Sequence, residues 1–466
     1  MNPIPEAFIE QMYLLLGKEE TQLLQSALST SLPVSIRVNA EKSGGAEGDT
    51  VPWCPLGVYL KERPSFTFDP LFHAGTYYVQ EASSMFLSHV LRKFISNNHF
   101  SSIVALDLCA APGGKSTLTL SSLPQDSILI ANEVVKQRAN ILMENLIKWG
   151  NPNTIVTNNY AEDFQALGAI FDLIICDVPC SGEGMFRKDP QSILEWSPQN
   201  VETCWKRQRS IIQQIWPCLK PGGILIYSTC TYNTLENEEN IRWIQQETHA
   251  EILDCEPDAN WGITGNLLKG ENFPCYHFFP HRTKGEGFFL AALRKANDDS
   301  NVAHTSKQKK QKHPKQKSAI PADIKDWILH PEQFDFHFDE KKQSFYAFPQ
   351  NYFQLLEQAQ SFLNVLYSGI QLAAIKGKNS LQPLPSLALS NSLNYNSFQK
   401  CELTFEHAIS YLRTESLTLS SDTPNGYVLV TYKNHPLGFV KNLGSRANNL
   451  YPTEWRIRKQ LDSTQI

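Results

Sequence analysis

Apolar and polar positions along this chain change period several times, and the changes mark its elements. Between residues 103 and 293, short and nearly uninterrupted apolar runs recur: Ile103–Leu108, Ser127–Asn132, Thr154–Asn158, Phe171–Cys176, Gly223–Tyr227 and Phe288–Leu293. Runs of this length with little alternation predict strands covered on both faces, the pattern of a parallel sheet. Between the second and third runs, Ala139, Leu142, Met143, Leu146 and Ile147 recur at helical spacing and stop at Gly150 and Pro152. That spacing predicts an amphipathic helix with a defined end. Ser197 followed by Pro198 predicts a helix start, and Asn233 with Glu236 predicts a capping box for a further helix. Strand and helix signals in alternation predict a doubly wound, parallel-rich α/β sheet over residues 96–296.

The flanks read differently. Residues 1–95 predict a mixed α+β region: a helical pattern (Phe8, Met12, Leu15, Leu16), then Ser35-Ile-Arg-Val-Asn39, then an aromatic stretch from Phe66 to Phe86. Residues 297–320 carry Lys307, Lys309, Lys310, Lys312, Lys315 and Lys317 with almost no apolar side chain, which predicts a solvated linker joining two separately folded units. Residues 321–466 begin with aromatics (Trp327, Phe334, Phe336, Phe338, Phe345) and end in short alternating runs such as Tyr427–Tyr432 and Pro436–Lys441, predicting a small β-rich module.

Composition narrows the function classes. The chain has 466 residues, enough for about three domains, and a net charge of -5, so it is not a basic nucleic-acid coat. Any nucleic-acid site must be a local basic surface. The N-terminal residues lack a basic segment followed by an apolar core, and no stretch is long and apolar enough to span a bilayer. The ten cysteines include no CxxC pair and no dense scaffold spacing, as expected for reduced thiols in a cytoplasmic protein.

Three loops at strand ends carry candidate chemistry. The first is Cys109-Ala-Ala-Pro-Gly-Gly-Lys-Ser116. A phosphate-binding P-loop would need glycine at Cys109, and a dinucleotide fingerprint needs G-x-G-x-x-G, whereas only Gly113-Gly114 is present. The remaining reading is a methyl-donor site, in which the turn Cys109, Ala110, Ala111, Pro112, Gly113, Gly114, Lys115 lets the backbone approach S-adenosylmethionine. A carboxylate at the end of the next strand, Glu133, would accept the ribose hydroxyls. A tight strand-to-helix turn with no ligand is the alternative for the loop taken alone.

The second and third loops are Asp177-Val-Pro-Cys-Ser-Gly-Glu-Gly184 and Tyr227-Ser-Thr-Cys-Thr-Tyr-Asn233. A pyrimidine is unreactive at C5 until a nucleophile adds at C6, and a thiolate suits that step because it adds near neutral pH and leaves readily. Two cysteines, Cys180 and Cys230, would divide attack and release, and Asp177 would bond the exocyclic amine and N3 region of a flipped cytosine. The alternative is a pair of buried structural thiols. Proline and Ser-Gly beside Cys180, and Ser-Thr before Cys230, favour exposed loops. A cysteine-protease reading has no supporting histidine and leaves the glycine-rich loop unexplained.

CAAPGGKS, DVPCSGEGMFRKDP and YSTCTYNTLENEEN resemble the motifs of the Nop/Sun family of RNA cytosine-C5 methyltransferases. Ile36–Asn39, Gly75–Ser84 and Gly285–Phe289 match as well, and Pro436-Leu-Gly with Asn449–Pro452 resembles the PUA-like tail of the bacterial branch acting on small-subunit ribosomal RNA. The resemblance implies an α/β fold: a Rossmann-like class I methyltransferase sheet, a mixed α+β N-terminal region and a β-rich PUA-like C-terminal domain. It implies S-adenosylmethionine as cofactor, Cys230 as nucleophile, Cys180 assisting release, and cofactor contacts from Cys109 to Lys115, Glu133 and Asp177. Where the family places an aspartate near the adenine, this chain has Tyr160, with Glu162 and Asp163 close by. Arg187 and Lys188 follow the Cys180 loop and are expected to contact RNA phosphates; Lys206, Arg207 and Arg209 read as solvated helix charges. The expected partner is RNA, with no metal and no membrane, on a monomer. The rival readings are a transfer-RNA enzyme of the same family and a non-catalytic RNA-binding assembly factor on the same scaffold.

Overall fold

In the computed structural model, which describes residues 3–43, 45–98, 100–297, 320–377 and 380–459, each expected apolar run of the middle region is a strand. These strands form a nine-stranded sheet among the described residues. Its order is Glu251–Leu253, Phe288–Arg294, Leu219–Thr229, Phe171–Asp177, Val104–Asp107, Ile128–Asn132, Thr154–Thr157 and Val365–Ser368, with Tyr276–Phe278 pairing Phe288–Arg294 to the side. The five strands from Leu219–Thr229 to Thr154–Thr157 are mutually parallel, and Phe288–Arg294 runs antiparallel to Leu219–Thr229. Alternate residues enter different cores. Ala105, Leu129, Val156, Leu173 and Ile224 pack on one face, and Leu106, Ile130, Ile155, Ile174 and Leu225 on the other. Both faces are covered, which is why these strands read as continuous apolar runs rather than as alternation. The chain winds from Val104–Asp107 first to one side of the sheet and later to the other. That switch opens a crevice at the carboxyl ends of Val104–Asp107 and Phe171–Asp177.

The helix predicted over residues 139–147 spans Lys136–Trp149 and ends at Gly150, whose φ of 88° suits glycine. Ser197 caps the helix Pro198–Ile215 by accepting from Asn200 N. The capping box at Asn233 is a correction. Asn233 Oδ1 accepts from Glu236 N, but the helix begins only at Glu238. The Glu236 carboxylate is turned away toward Ser181 and Gln208, so the chain stays in a turn through Asn237.

The N-terminal region pairs helices Glu6–Leu16 and Lys18–Leu28 with a four-stranded sheet ordered Asp49–Val51, Cys54–Leu60, Val34–Val38, Tyr77–Val79. The tail holds two four-stranded sheets rather than one unit. One comprises Phe334–Asp339, Ser344–Pro349, Ile370–Lys376 and Ser380–Pro383; the other comprises Gln399–Glu402, Gly426–Tyr432, His435–Asn442 and Ala447–Asn449. Nor is the tail separate from the rest. Val365–Ser368 pairs antiparallel with Thr154–Thr157 and extends the central sheet. The lysines of the expected linker lie at 298–319, outside the described residues. No helix among the described residues is long and apolar enough to cross a membrane.

Candidate active site

The glycine-rich loop leaves the strand Val104–Asp107 and enters the helix Gly114–Ser122 through Gly113, whose φ of 115° favours glycine. The helix Lys136–Trp149 holds this loop: Arg138 donates to Ala111 O at 2.9 Å and Asn145 to Pro112 O at 2.8 Å. Ala110 N donates to Asn132 O at 2.8 Å, tying the loop to the neighbouring strand.

Three carboxylates surround this loop. Asp107 is fully buried; its Oδ2 accepts from Ser116 Oγ at 2.6 Å, and its Oδ1 has no partner among the described residues. Burial pushes the Asp107 carboxyl up to about 7. Glu133 follows the strand Ile128–Asn132; its Oε1 accepts from Val135 N at 2.9 Å and its Oε2 lies 3.3 Å from Arg138 Nη1. Asp177 ends the strand Phe171–Asp177, accepting from Lys115 Nζ and Ser228 Oγ, both at 2.8 Å. Burial works against the Lys115 ammonium, and Asp177 outweighs it, holding Lys115 above its ordinary range. An acidic lining with an unpaired buried oxygen suits a cationic ligand that also carries hydroxyls.

The two cysteine loops meet beside Asp177. Cys180 Sγ and Cys230 Sγ are 3.2 Å apart, and Cys230 N donates to Cys180 Sγ at 3.3 Å. Both thiols are free and only partly exposed. The contact with Cys230 and then burial push the Cys180 thiol well above its ordinary range. The fold thus brings Cys109–Lys115, Glu133, Asp177, Cys180 and Cys230 to one sheet edge.

Other expectations are corrected. Arg187, expected at RNA phosphates, is buried: its side chain is 4% exposed, and it pairs with Glu286 at 2.6 Å while donating to Gly285 O and Ala27 O. A guanidinium with five donors in a fixed fork serves as an internal brace here. Lys188, next in the chain, is exposed. Lys206 pairs with Glu202 on the helix surface at 2.6 Å, as a solvated helix charge should. Arg209 instead lies over the rings of Trp205 and Trp243. Tyr160 is 67% exposed. Asp163 is occupied in accepting from Tyr160 N and Asn159 Nδ2, both at 3.0 Å, and Glu162 points outward.

Asp107, Arg37 and Glu183 were not expected at this site, and Glu236 was expected only in a capping box. Asp107 was hidden inside an apolar run, although a carboxylate closing a buried strand is itself a signal. Arg37 is fully buried, donating to Gln80 Oε1 at 2.8 Å and to Thr117 Oγ1 at 2.5 Å behind the glycine-rich loop.

Comparison with known proteins gives the family. Family models match in three places: the 16S rRNA methyltransferase RsmB/F model over residues 96–294, the RsmF N-terminal domain over 4–82, and the RsmF PUA domain over 398–457. "Ribosomal RNA small subunit methyltransferase F" of Cronobacter sakazakii is 32% identical, over 97% of this chain and 96% of that protein. Its Salmonella agona counterpart is 31% identical over the same shares. The chain belongs to the RsmB/F family of 16S rRNA methyltransferases.

A methyltransferase homologue from Pyrococcus horikoshii shares 27% identity and a TM-score of 0.53, covering 62% of this chain and 95% of that one. The NSun6 structure from Pyrococcus horikoshii, solved with SFG, is 21% identical with a TM-score of 0.53, over 63% of this chain and 99% of that one, and supports the fold alone. As a member of the RsmB/F family this protein is an RNA methyltransferase, with a Rossmann-like central sheet and a β-rich C-terminal PUA domain. The strand Val365–Ser368 falls between the matched RsmB/F and PUA ranges.

Proposed function

We propose that this protein transfers a methyl group from S-adenosylmethionine to C5 of a cytosine in 16S ribosomal RNA. The observation that carries the reading is the pair of loop thiols 3.2 Å apart on the two loops that meet beside Asp177, at the mouth of the methyl-donor crevice. A scaffold protein needs neither thiol, and a transfer-RNA substrate finds no support in the two ribosomal-RNA relatives.

S-adenosylmethionine supplies an electrophilic methyl on a sulfonium cation. The backbone of Cys109 to Lys115 would hold it, Glu133 would accept from its ribose hydroxyls, and the unpaired Oδ1 of Asp107 adds to the acidic lining that suits its charge. Asp177, braced by Lys115 and Ser228, would accept from the exocyclic amine of cytosine; uracil presents an acceptor there and is disfavoured.

Cys230 Sγ, as thiolate, would form a bond to C6, and the electron pair displaced to C5 would take the methyl carbon while the electrons of its former bond to sulfur stay on the departing neutral thioether. Cys180, once deprotonated, removes the C5 proton; those electrons restore the C5–C6 double bond and expel Cys230 as thiolate. The contact with Cys230 is the strongest influence keeping Cys180 protonated. When the Cys230 sulfur is committed to C6, that influence lapses, so Cys180 becomes easier to ionise at the step that needs a base. Lys188 would contact substrate phosphate beside the pocket.

Bisulfite mapping of 16S and transfer RNA from cells with and without the gene tests the reading. The expected result is one 16S cytosine that loses protection when the gene is removed. Loss confined to transfer RNA would move the substrate to that class.

A further inference from the structure

We infer that Glu183 and Glu236 form a reciprocal carboxylate clamp that sets the spacing of the two thiols, and so act as positioning residues for the reaction. The inference rests on the proposed thiol chemistry, and it comes from how the two cysteine loops are joined.

Glu183, three residues after Cys180, reaches into the Cys230 loop. Its Oε2 accepts from Tyr232 N at 2.8 Å and Asn233 N at 3.0 Å, and its Oε1 from Asn233 Nδ2 at 3.1 Å. Glu236, six residues after Cys230, reaches back the other way. Its Oε2 accepts from Ser181 N at 3.0 Å and from Gln208 Nε2 at 2.7 Å, and its Oε1 from Asn233 Nδ2 at 2.8 Å. Each loop therefore supplies a carboxylate that accepts from backbone N–H groups one to three residues past the other loop's cysteine. Asn233 is shared by both. Gly184 N donating to Cys230 O at 2.9 Å and the Ser181–Thr231 hydroxyl pair at 3.0 Å close the same seam.

Both carboxylates are fully buried, and no lysine or arginine pairs with either among the described residues. Burial pushes the Glu236 carboxyl up to about 7, and burying two carboxyl groups without a countercharge is costly unless N–H donors saturate them. Here they do: Gln11 Nε2 at 2.8 Å and Trp196 Nε1 at 3.1 Å complete the shell of Glu183. A loop needing only packing would be satisfied by apolar residues. Two carboxylates aimed across the seam instead fix backbone positions, and a displacement of about 1 Å at a reacting group can cost on the order of 100-fold in rate.

The test uses the purified full-length protein and two readouts. The first is the rate at which diamide, which takes up two hydrogens, cross-links Cys180 to Cys230, followed by peptide mapping; it needs no RNA and no methyl transfer. The second is kcat against KM for methylation of 16S RNA, with S-adenosylmethionine affinity measured alongside. Glu183→Gln and Glu236→Gln each place an amide N–H against an N–H donor. Both should slow cross-linking and lower kcat by about tenfold or more, with KM and cofactor affinity little changed. Should either fold poorly by thermal melt, Asn233→Ala decides, because it removes the shared amide and leaves both carboxylates; it should give the same split more mildly. Folded variants that cross-link and turn over like the parent would overturn the clamp. Slowed cross-linking with unchanged kcat would show that the clamp exists but that the thiol pair does not carry the reaction.

Discussion

At the scale of single residues, the site is governed by which polar atoms are buried and what they find there. The cysteines were legible in the sequence because proline, glycine and serine neighbours put them in turns after buried strands. Asp107 was harder to read: a carboxylate closing a buried strand is a signal, but its apolar neighbours dominate the pattern. Its burial has a consequence for stability. The folded-state value, about 7, lies above the ordinary 3.8. Its contribution is therefore fully present below the ordinary value and lost as pH rises through 7, by on the order of 4 kcal/mol. Lys115, Asp177 and Glu133 face it; Lys115 favours its charged form and the two carboxylates oppose it. Asp107→Asn should flatten the fall in melting temperature between about pH 4 and pH 7. A variant whose melting curve follows the parent at every pH would remove the titration from Asp107.

At the scale of elements, strands were readable and the partners of loop residues were not. Apolar runs report burial on both faces, so each strand of the parallel sheet was found to within a few residues. Nothing local in Gly-Met-Phe-Arg-Lys tells which cation faces water, since that depends on Glu286, far along the chain. Arg187 and Lys188 should accordingly part company on mutation. Arg187→Ala strands the Glu286 carboxylate and should cost about 3–5 kcal/mol in urea unfolding. Lys188→Glu should leave stability alone, weaken RNA binding, and reduce the salt slope by about one. Equal stability losses in the two variants would contradict the burial difference on which this rests. The turn at Asn233–Asn237 failed as a predicted helix start for a related reason: Glu236 is drawn into a contact with Ser181 that sequence spacing cannot display.

At the scale of the whole molecule, the tail is built into the catalytic body. Val365–Ser368 continues the central sheet, Asn391 N donates to Gly150 O at 2.9 Å, and Lys42 Nζ donates to Ala74 O, Lys148 O and Leu389 O. This three-carbonyl bolt joins the N-terminal region, the central domain and the tail, and burial drives its ammonium down to about 7. The sequence showed a composition break near 320 and could not show a strand returning past it. Chains 1–297 and 320–466 expressed together should therefore co-elute as one complex in size-exclusion chromatography; elution as two independent stable species would contradict the shared sheet. The central claim, that Cys230 attacks the base and Cys180 releases it, is tested most directly by covalent trapping. Cys180→Ala incubated with 16S RNA and S-adenosylmethionine should form a protein–RNA adduct that survives denaturing electrophoresis, and adding Cys230→Ala should abolish it. An adduct from Cys230→Ala but not from Cys180→Ala would reverse the two roles, and full activity in both single variants would contradict the mechanism.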